Sequence, residues 1–237
     1  MNIVITGASK GIGFEVAKLF AANEKNTIVA IARSENLLKE LKNACIRENL
    51  KSKIRPFVFD IENPEKVKKS FKAEMLKYVD SIDILINNAG ILVNKLFQEI
   101  STEDMIKSFH INTISPAIII QELLPLLKQG KVKHVINISS MGGFQGSAKF
   151  PGLSIYSASK AALANLSECL AEEYKEEKIT FNSLALGAVN TEMLKSAFPG
   201  IDAPLTPEEM AAFIYYFAIN GNKYFNGKVI PVSSSTP

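Results

Sequence analysis

Cysteine is scarce in this chain. There are two among 237 residues, Cys45 and Cys169, far apart and without a Cys-x-x-Cys spacing. That argues against a disulfide framework or a thiolate metal site, and leaves two reduced thiols on helices of an intracellular protein as the expectation. The two histidines, His110 and His134, form no ligand pattern, so no metal is expected. No apolar stretch reaches the ~18 residues of a membrane span. The richest, 111–127, is broken by Asn112, Ser115, Pro116, Gln121, Glu122 and Pro125. Strong charge is also missing. A formal net charge of +3 is too mild to imply a nucleic-acid partner. The Lys66-Val67-Lys68-Lys69 run falls on a helical pattern and reads as a solvated face. A strand pattern begins within two residues of Met1, so no leader is expected, and the bacterial cytoplasm is the expected compartment.

What is present is ordinary for a globular protein, with 47% apolar and 22% charged residues. The length suffices to bury a sizeable core. Short apolar runs alternate with longer helical patterns. The runs lie at 2–6, 27–32, 54–60, 82–87, 132–139, 179–185 and 228–232. They are nearly continuous in Val, Ile, Leu and Phe, as strands buried on both faces of a parallel sheet must be. Helical patterns fill 11–23, 35–49, 64–78, 102–128, 156–176 and 207–219. Thr206-Pro207-Glu208-Glu209 carries an N-cap, a first-turn proline and a capping-box glutamate. Ser101-Thr102-Glu103-Asp104 is a weaker version. The alternation predicts one doubly wound α/β domain over 1–237, Rossmann-type, with about seven strands and helices on both faces.

Directly after the first run comes Thr6-Gly7-Ala8-Ser9-Lys10-Gly11-Ile12-Gly13. Glycines permit a tight turn and a close backbone approach, and the helix that follows offers unpaired N–H groups to a pyrophosphate. The spacing is GxxxGxG rather than GxGxxG, and a glycine turn alone could be a mere strand-to-helix connection. Cofactor choice in such folds falls at the end of the second strand, where an acid binds the ribose 2′-hydroxyl of NAD. Here the stretch reads Ala32-Arg33-Ser34. Arg33 and Lys10 together favour the 2′-phosphate of NADP. Glu35 is the opposing feature, since a carboxylate turned inward would repel that phosphate.

Tyr156 and Lys160 stand four apart, on one face of a helix. A nearby ammonium lowers a phenol's pKa toward the working range of an acid–base catalyst. The spacing alone says little, because Tyr174/Lys178 and Tyr224/Lys228 repeat it. Context separates the three. Tyr174 lies in a run of charges that reads as a solvated face. Tyr224 precedes the Asn226-Gly227 turn. Tyr156 opens a helix of small residues, Ser157, Ala158, Ser159, Ala161 and Ala162, and follows a buried strand ending in Ser139-Ser140.

At this point the chain resembles the short-chain dehydrogenase/reductase family, of the classical type. The resemblance rests on Thr6-Gly7-x-x-x-Gly11-x-Gly13, Asn87-Asn88-Ala89-Gly90, Asn112, Ser140 and Tyr156-x-x-x-Lys160, which occur in family order along essentially the whole chain. It implies hydride transfer between NADP(H) and a small-molecule carbonyl or alcohol. Tyr156 would be the general acid or base. Lys160 would lower its pKa and hold the nicotinamide ribose. Ser140, rather than its neighbour Ser139, would orient the substrate oxygen, and Asn112 would support a proton relay through water. The cofactor would lie on Gly7, Ser9, Lys10, Gly11, Ile12, Gly13, Arg33, Ser34, Asp60, Ile61, Asn88, Ala89, Gly90, Gly187, Val189 and Thr191, besides Tyr156 and Lys160. A homo-oligomer, dimer or tetramer, would form through helices 102–128 and 156–176.

The chain departs from the family in three places. Leu186-Gly187 stands where a Pro-Gly pair is usual, which is expected to loosen that turn. The loop between Ser140 and Tyr156 is a few residues longer than is usual for the family, with its insertion near 146–151, where it is expected to border the substrate pocket. Val232-Ser233-Ser234-Ser235 replaces an acidic-glycine finish. A substrate lid is expected at 188–205, apolar in Met193, Leu194, Ala197, Phe198 and Ile201. It either closes over an apolar substrate or packs on the core or a neighbouring subunit. Three functions remain in play. One is a carbonyl reductase, of which a 3-oxoacyl-thioester reductase is one version. The second is a non-catalytic NADP-binding sensor or scaffold. The third is an epimerase or dehydratase, disfavoured by the short chain and the GxxxGxG spacing.

Overall fold

The unbroken apolar runs all become strands, and all pair in parallel. In the computed structural model, which describes residues 1–234, these are β1 (Asn2–Thr6), β2 (Thr27–Ala32), β3 (Lys53–Val58), β4 (Ile84–Asn87), β5 (His134–Ser140), β6 (Thr180–Leu186) and β7 (Lys228–Val232). Ser235 and the two residues after it lie outside the described residues, so the expectations placed there go no further. The sheet runs β3-β2-β1-β4-β5-β6-β7. Winding therefore reverses between β1 and β4, and a crevice opens beyond their carboxyl ends. Thr6 and Asn87 are register partners at that edge.

The pleat sends alternate residues to opposite helical layers. Ile3 and Ile5 pack with Val16 and Phe20 of α1 (Gly11–Ala21) and with Met210, Ile214 and Phe217 of α8 (Pro207–Asn220). Val4, between them, faces the other way. It joins Val67 and Phe71 of α3 (Pro64–Met75) and Ile119, Leu123 and Leu127 of α5 (Ser115–Gln129). Two apolar faces on one strand explain why β1 reads as a continuous run. The two edge strands each carry a proline, Pro56 in β3 and Pro231 in β7, which cannot donate to another strand.

The sequence start signals act as read. Thr206 and Glu209 form a reciprocal capping box at α8, and Ser101 and Asp104 form one at α4 (Thr102–Phe109). Cys45 lies buried on α2 (Glu35–Glu48), and burial pushes its thiol up to about 11. Cys169 is exposed on α6 (Ser154–Glu173). One expectation is refined and one needs correction. The helix expected over 102–128 runs unbroken, with a π-turn at His110–Ile114 between its α-helical parts α4 and α5. The stretch 188–205 is not all loop, because it holds α7 (Glu192–Ala197), capped by Thr191. No helix among the described residues is long and apolar enough to cross a membrane.

His134 pins β5 to its neighbours. Its Nδ1 donates to Ala218 O at 3.1 Å, and its Nε2 accepts from Asn182 Nδ2 at 3.1 Å. Both contacts suit the neutral ring, and burial pushes its pKa down to about 4. The unfolded chain, with an ordinary pKa near 6.5, therefore takes up the proton first as pH falls. This group should withdraw about 2–3 kcal/mol of stability between pH 7 and pH 4.5. Urea unfolding at the two pH values should show that loss, and His134→Gln should lack most of it. An equal acid loss in the variant would assign the effect to other groups.

Candidate active site

The glycine turn is built by backbone contact. Gly7 has φ +68°, and a Cβ on it would lie 2.8 Å from Ala89 Cα. A Cβ on Gly13 would lie 2.4 Å from both Gly7 O and Asn88 Nδ2. Either substitution would push α1 away from the β4 end. Asn88 holds the two together by donating from Nδ2 to Thr6 O and Gly7 O, both at 3.1 Å. Thr6 Oγ1 answers by accepting from the backbone N–H groups of Asn88 and Ala89, each at 3.1 Å. The cradle formed in this way keeps its N–H groups on the crevice side, where an anionic group fits.

A cavity of about 720 Å³ runs from this turn to Tyr156. Gly7, Ser9, Lys10, Gly11, Ile12, Arg33, Asp60, Ile61, Asn88, Ala89, Gly90, Ser140, Tyr156, Lys160, Gly187, Val189 and Thr191 all line it. Three expected residues stand behind the wall instead. Gly13 packs under Asn88. Ser34 caps α2, accepting from Leu37 N. Asn112 is fully buried, with Gly90 between it and Lys160 Nζ.

Tyr156 sits in the first turn of α6, two residues after its start at Ser154. Among the three tyrosine–lysine pairs, only this one reaches the cavity. Tyr224 is 77% exposed. Tyr174 is not simply solvated, since its ring packs 5.9 Å from Phe181 and under Lys128. The adjacent serines divide their tasks. Ser139 Oγ donates to Lys160 O at 2.8 Å and so points to the helix. Ser140 faces the cavity, with its Oγ accepting from Gly142 N and bonding the Tyr156 hydroxyl.

The electrostatics differ from the sequence expectation. Burial pushes the Tyr156 phenol above its ordinary value, and the bond from Ser140 opposes this. Lys160 does not pull it down here, because its ammonium donates to Ile138 O at 2.8 Å. Burial without a carboxylate partner lowers Lys160 to about 8. Asn112 is also committed. Its Oδ1 accepts from Ile91 N at 2.9 Å, while Nδ2 donates to Ile91 O and to Ser159 Oγ, both at 3.0 Å. Its side chain clamps the segment after Gly90 to α6.

At the far end of the cavity, Glu35 turns to Lys39, 2.7 Å away, rather than inward. Two other carboxylates occupy the cations instead. Glu62 lies 3.5 Å from Arg33 and 2.9 Å from Lys107. Glu192 of α7 lies 2.6 Å from Lys10. The sequence reading missed both pairs, whose partners lie 29 and 182 positions apart along the chain. It also missed Thr6, whose position at a strand end facing the crevice was the available signal. The turn lacking its proline is not loose. Gly187 N donates to Val232 O at 2.9 Å, Asn190 N donates to Leu205 O at 2.8 Å, and Val189 bridges to Leu205. Asn190, also on the cavity wall and also missed, leaves a buried Oδ1 without a hydrogen-bond partner.

Known proteins resemble this chain along most of its length. The family model for short chain dehydrogenase matches residues 1–202. The chain is 30% identical over 241 residues to the 3-oxoacyl-(acyl-carrier-protein) reductase FabG of Thermotoga maritima, covering 97% of this chain and 94% of that one. It is 32% identical over 223 residues to a fatty acyl-CoA reductase of Acinetobacter baylyi, covering 93% and 73%. Among solved structures, a short chain dehydrogenase from Shigella flexneri complexed with NADP superposes with a TM-score of 0.86 at 25% identity, covering 97% and 95%. The L-sorbose reductase of Gluconobacter frateurii, complexed with NADPH and L-sorbose, gives 0.86 at 25%, covering 99% and 95%. The chain belongs to the short-chain dehydrogenase family of oxidoreductases.

The Asn112 clamp yields a stability prediction. Asn112→Ala leaves the Ile91 N–H and C=O without their partner, at a cost of about 2 kcal/mol. Urea unfolding should report that loss. A variant as stable as the parent but slower in turnover would show that the clamp is not the role of this side chain.

Proposed function

We propose that this protein is an NADP(H)-dependent reductase of carbonyl compounds, running in reverse as an alcohol dehydrogenase. The observation that carries the reading is convergence. The Tyr156 phenol, Ser140 and Lys160 meet in one cavity whose other end is the glycine cradle. The cofactor supplies the hydride at its nicotinamide ring. Everything else is the work of this chain. The turn from Gly7 to Ile12 holds the pyrophosphate on backbone N–H groups. Asp60 and Ile61 border the adenine end. Val189 and Thr191, on the anchored turn after β6, flank the nicotinamide end.

In reduction, Ser140 hydrogen-bonds the substrate oxygen and Tyr156 gives it a proton as negative charge develops there. A phenol held above its ordinary pKa stays protonated at neutral pH, which suits it to donating. Lys160 lies in the wall next to Gly90, positioned to hold ribose hydroxyls and to carry charge near the phenolate left behind. A catalytically silent NADP sensor is the competing reading, and the intact set of polar groups at Tyr156 speaks against it. Assembly into a dimer or tetramer is part of the proposal. Ile106 and Ile114, on the α4–α5 arm, stay 51% and 39% exposed, and light scattering at micromolar concentration should find more than a monomer.

Arg33 selects NADP by pairing with the 2′-phosphate, in competition with Glu62. NADPH should therefore bind more tightly than NADH in fluorescence titration. Arg33→Ala should remove most of that difference, and Glu62→Gln should widen it several-fold. Equal affinities in the parent protein would sink the NADP assignment. Tyr156→Phe should retain NADPH binding and lose carbonyl-dependent NADPH oxidation by at least about 100-fold. If no carbonyl is turned over and the substitution changes nothing, the sensor reading holds.

A further inference from the structure

We infer that the substrate is an uncharged, apolar ketone or aldehyde. This names the substrate class for the site just proposed and rests on that reading. Beyond Tyr156 the cavity is walled by three segments, 91–97, 141–153 and 192–201. They are fastened to one another. Asn94 Nδ2 donates to Ala197 O at 2.7 Å, and Lys95 N donates to Gly152 O at 3.1 Å. A Cβ on Gly152 would lie 2.0 Å from Asn94 Oδ1, so the first two segments are in direct contact. The long loop after Ser140 is therefore a wall of the chamber rather than a free excursion.

Apolar side chains face this chamber. Leu92, Met141, Phe150, Leu153, Met193 and Phe198 all line it. Phe150 and Met193 remain 51% and 43% exposed, an amount of apolar surface that a bound alkyl or aryl group would cover. Of the four charged side chains in these segments, three are turned to other partners, and the fourth, Lys195, lines the cavity at its exposed mouth on α7. Lys95 pairs with Asp104 at 2.6 Å, and Glu192 pairs with Lys10 at 2.6 Å. The Lys149 ammonium donates to Phe144 O and Ser147 Oγ of its own loop, both at 2.7 Å. A substrate carboxylate or phosphate drawn into this chamber would give up its hydration to carbon. An alkyl chain would gain roughly fourfold in affinity for each methylene covered.

The test uses the full chain with NADPH and matched carbonyls, followed at the nicotinamide absorbance. The panel holds methyl ketones of increasing length and oxo acids of equal length. For the ketones, kcat/KM should climb roughly fourfold per methylene over the first few carbons. Each ketone should exceed its oxo acid on the order of 100-fold. Phe150→Asp, on an exposed loop position, should cut kcat/KM for the longer ketones at least about tenfold. The same variant should bind NADPH as the parent does. Oxo acids turned over as fast as ketones would overturn the inference, and loss of that rate in Lys195→Ala would identify the cation reading them. A flat length series, or one unchanged in Phe150→Asp, would overturn it too. NADPH binding with no turnover of any carbonyl would instead overturn the hydride-transfer reading beneath it.

Discussion

The junction between the ends of β1 and β4 fixes the rest of this molecule. Thr6 Oγ1 accepts two backbone N–H groups from the β4 end, and Asn88 Nδ2 donates to two carbonyls of the β1 end. Four hydrogen bonds thus stitch two strands where the regular ladder stops. Their consequence is distance. The glycine turn is brought so close to Ala89 that no side chain fits at Gly7. The segment after it is then led past Gly90 to Ile91, where Asn112 takes hold of both backbone groups. Cradle, crevice and α6 are therefore registered to one another through a few fully used polar groups.

The same logic runs beneath the site. Asn87 donates to Asn137 across the β4–β5 pair, Asn137 donates to Ser167 on α6, and Ser139 donates to the Lys160 carbonyl. All these groups are buried, so breaking any of these bonds would be costly, although Asn87 Oδ1 itself has no hydrogen-bond partner. A helix packed on apolar contacts alone could slide along the sheet. Specific bonds to β5 instead hold Tyr156 opposite Ser140. They also explain how Lys160 can be buried with no carboxylate near it. Its ammonium has the Ile138 carbonyl, and its pKa falls because that single partner does not replace the water it has lost.

The sheet was legible because its five inner strands are buried on both faces, a constraint that writes itself as unbroken apolar runs, whereas the edge strands β3 and β7 keep exposed positions. The capped helix starts were legible because a cap is a local arrangement of three or four residues. The π-turn at His110–Ile114 was not, since one extra residue per turn barely disturbs a 3.6-residue apolar pattern. Ser139 and Ser140 could not be separated by spacing. The pleat separates them at once, because neighbouring residues on a strand face opposite ways. Glu62 and Glu192 were invisible for another reason. Their partners are set by topology, which brings the segment after β3 beside the end of β2, and the lid helix beside the glycine turn. An i to i+4 spacing shows that a lysine is near the Tyr156 phenol, but not that its ammonium is bound to a backbone carbonyl or that burial pushes the phenol up.

Stiffness is distributed unevenly around the cavity, and the distribution matches what the chemistry needs. The floor consists of strand ends and of a turn after β6 that is pinned to β7 and to Leu205. The roof over the Tyr156 end is held differently. Lys10 and Glu192 are 61% and 74% exposed, and an ion pair at such exposure adds little to stability. One side-chain bond, from Asn94 to Ala197 O, joins α7 to the opposite wall. The stretch 188–205 thus has two parts held in different ways: the turn up to Thr191 is pinned to β7 and Leu205 by backbone bonds, and the six-residue helix that follows is tied by one exposed ion pair and one side-chain bond.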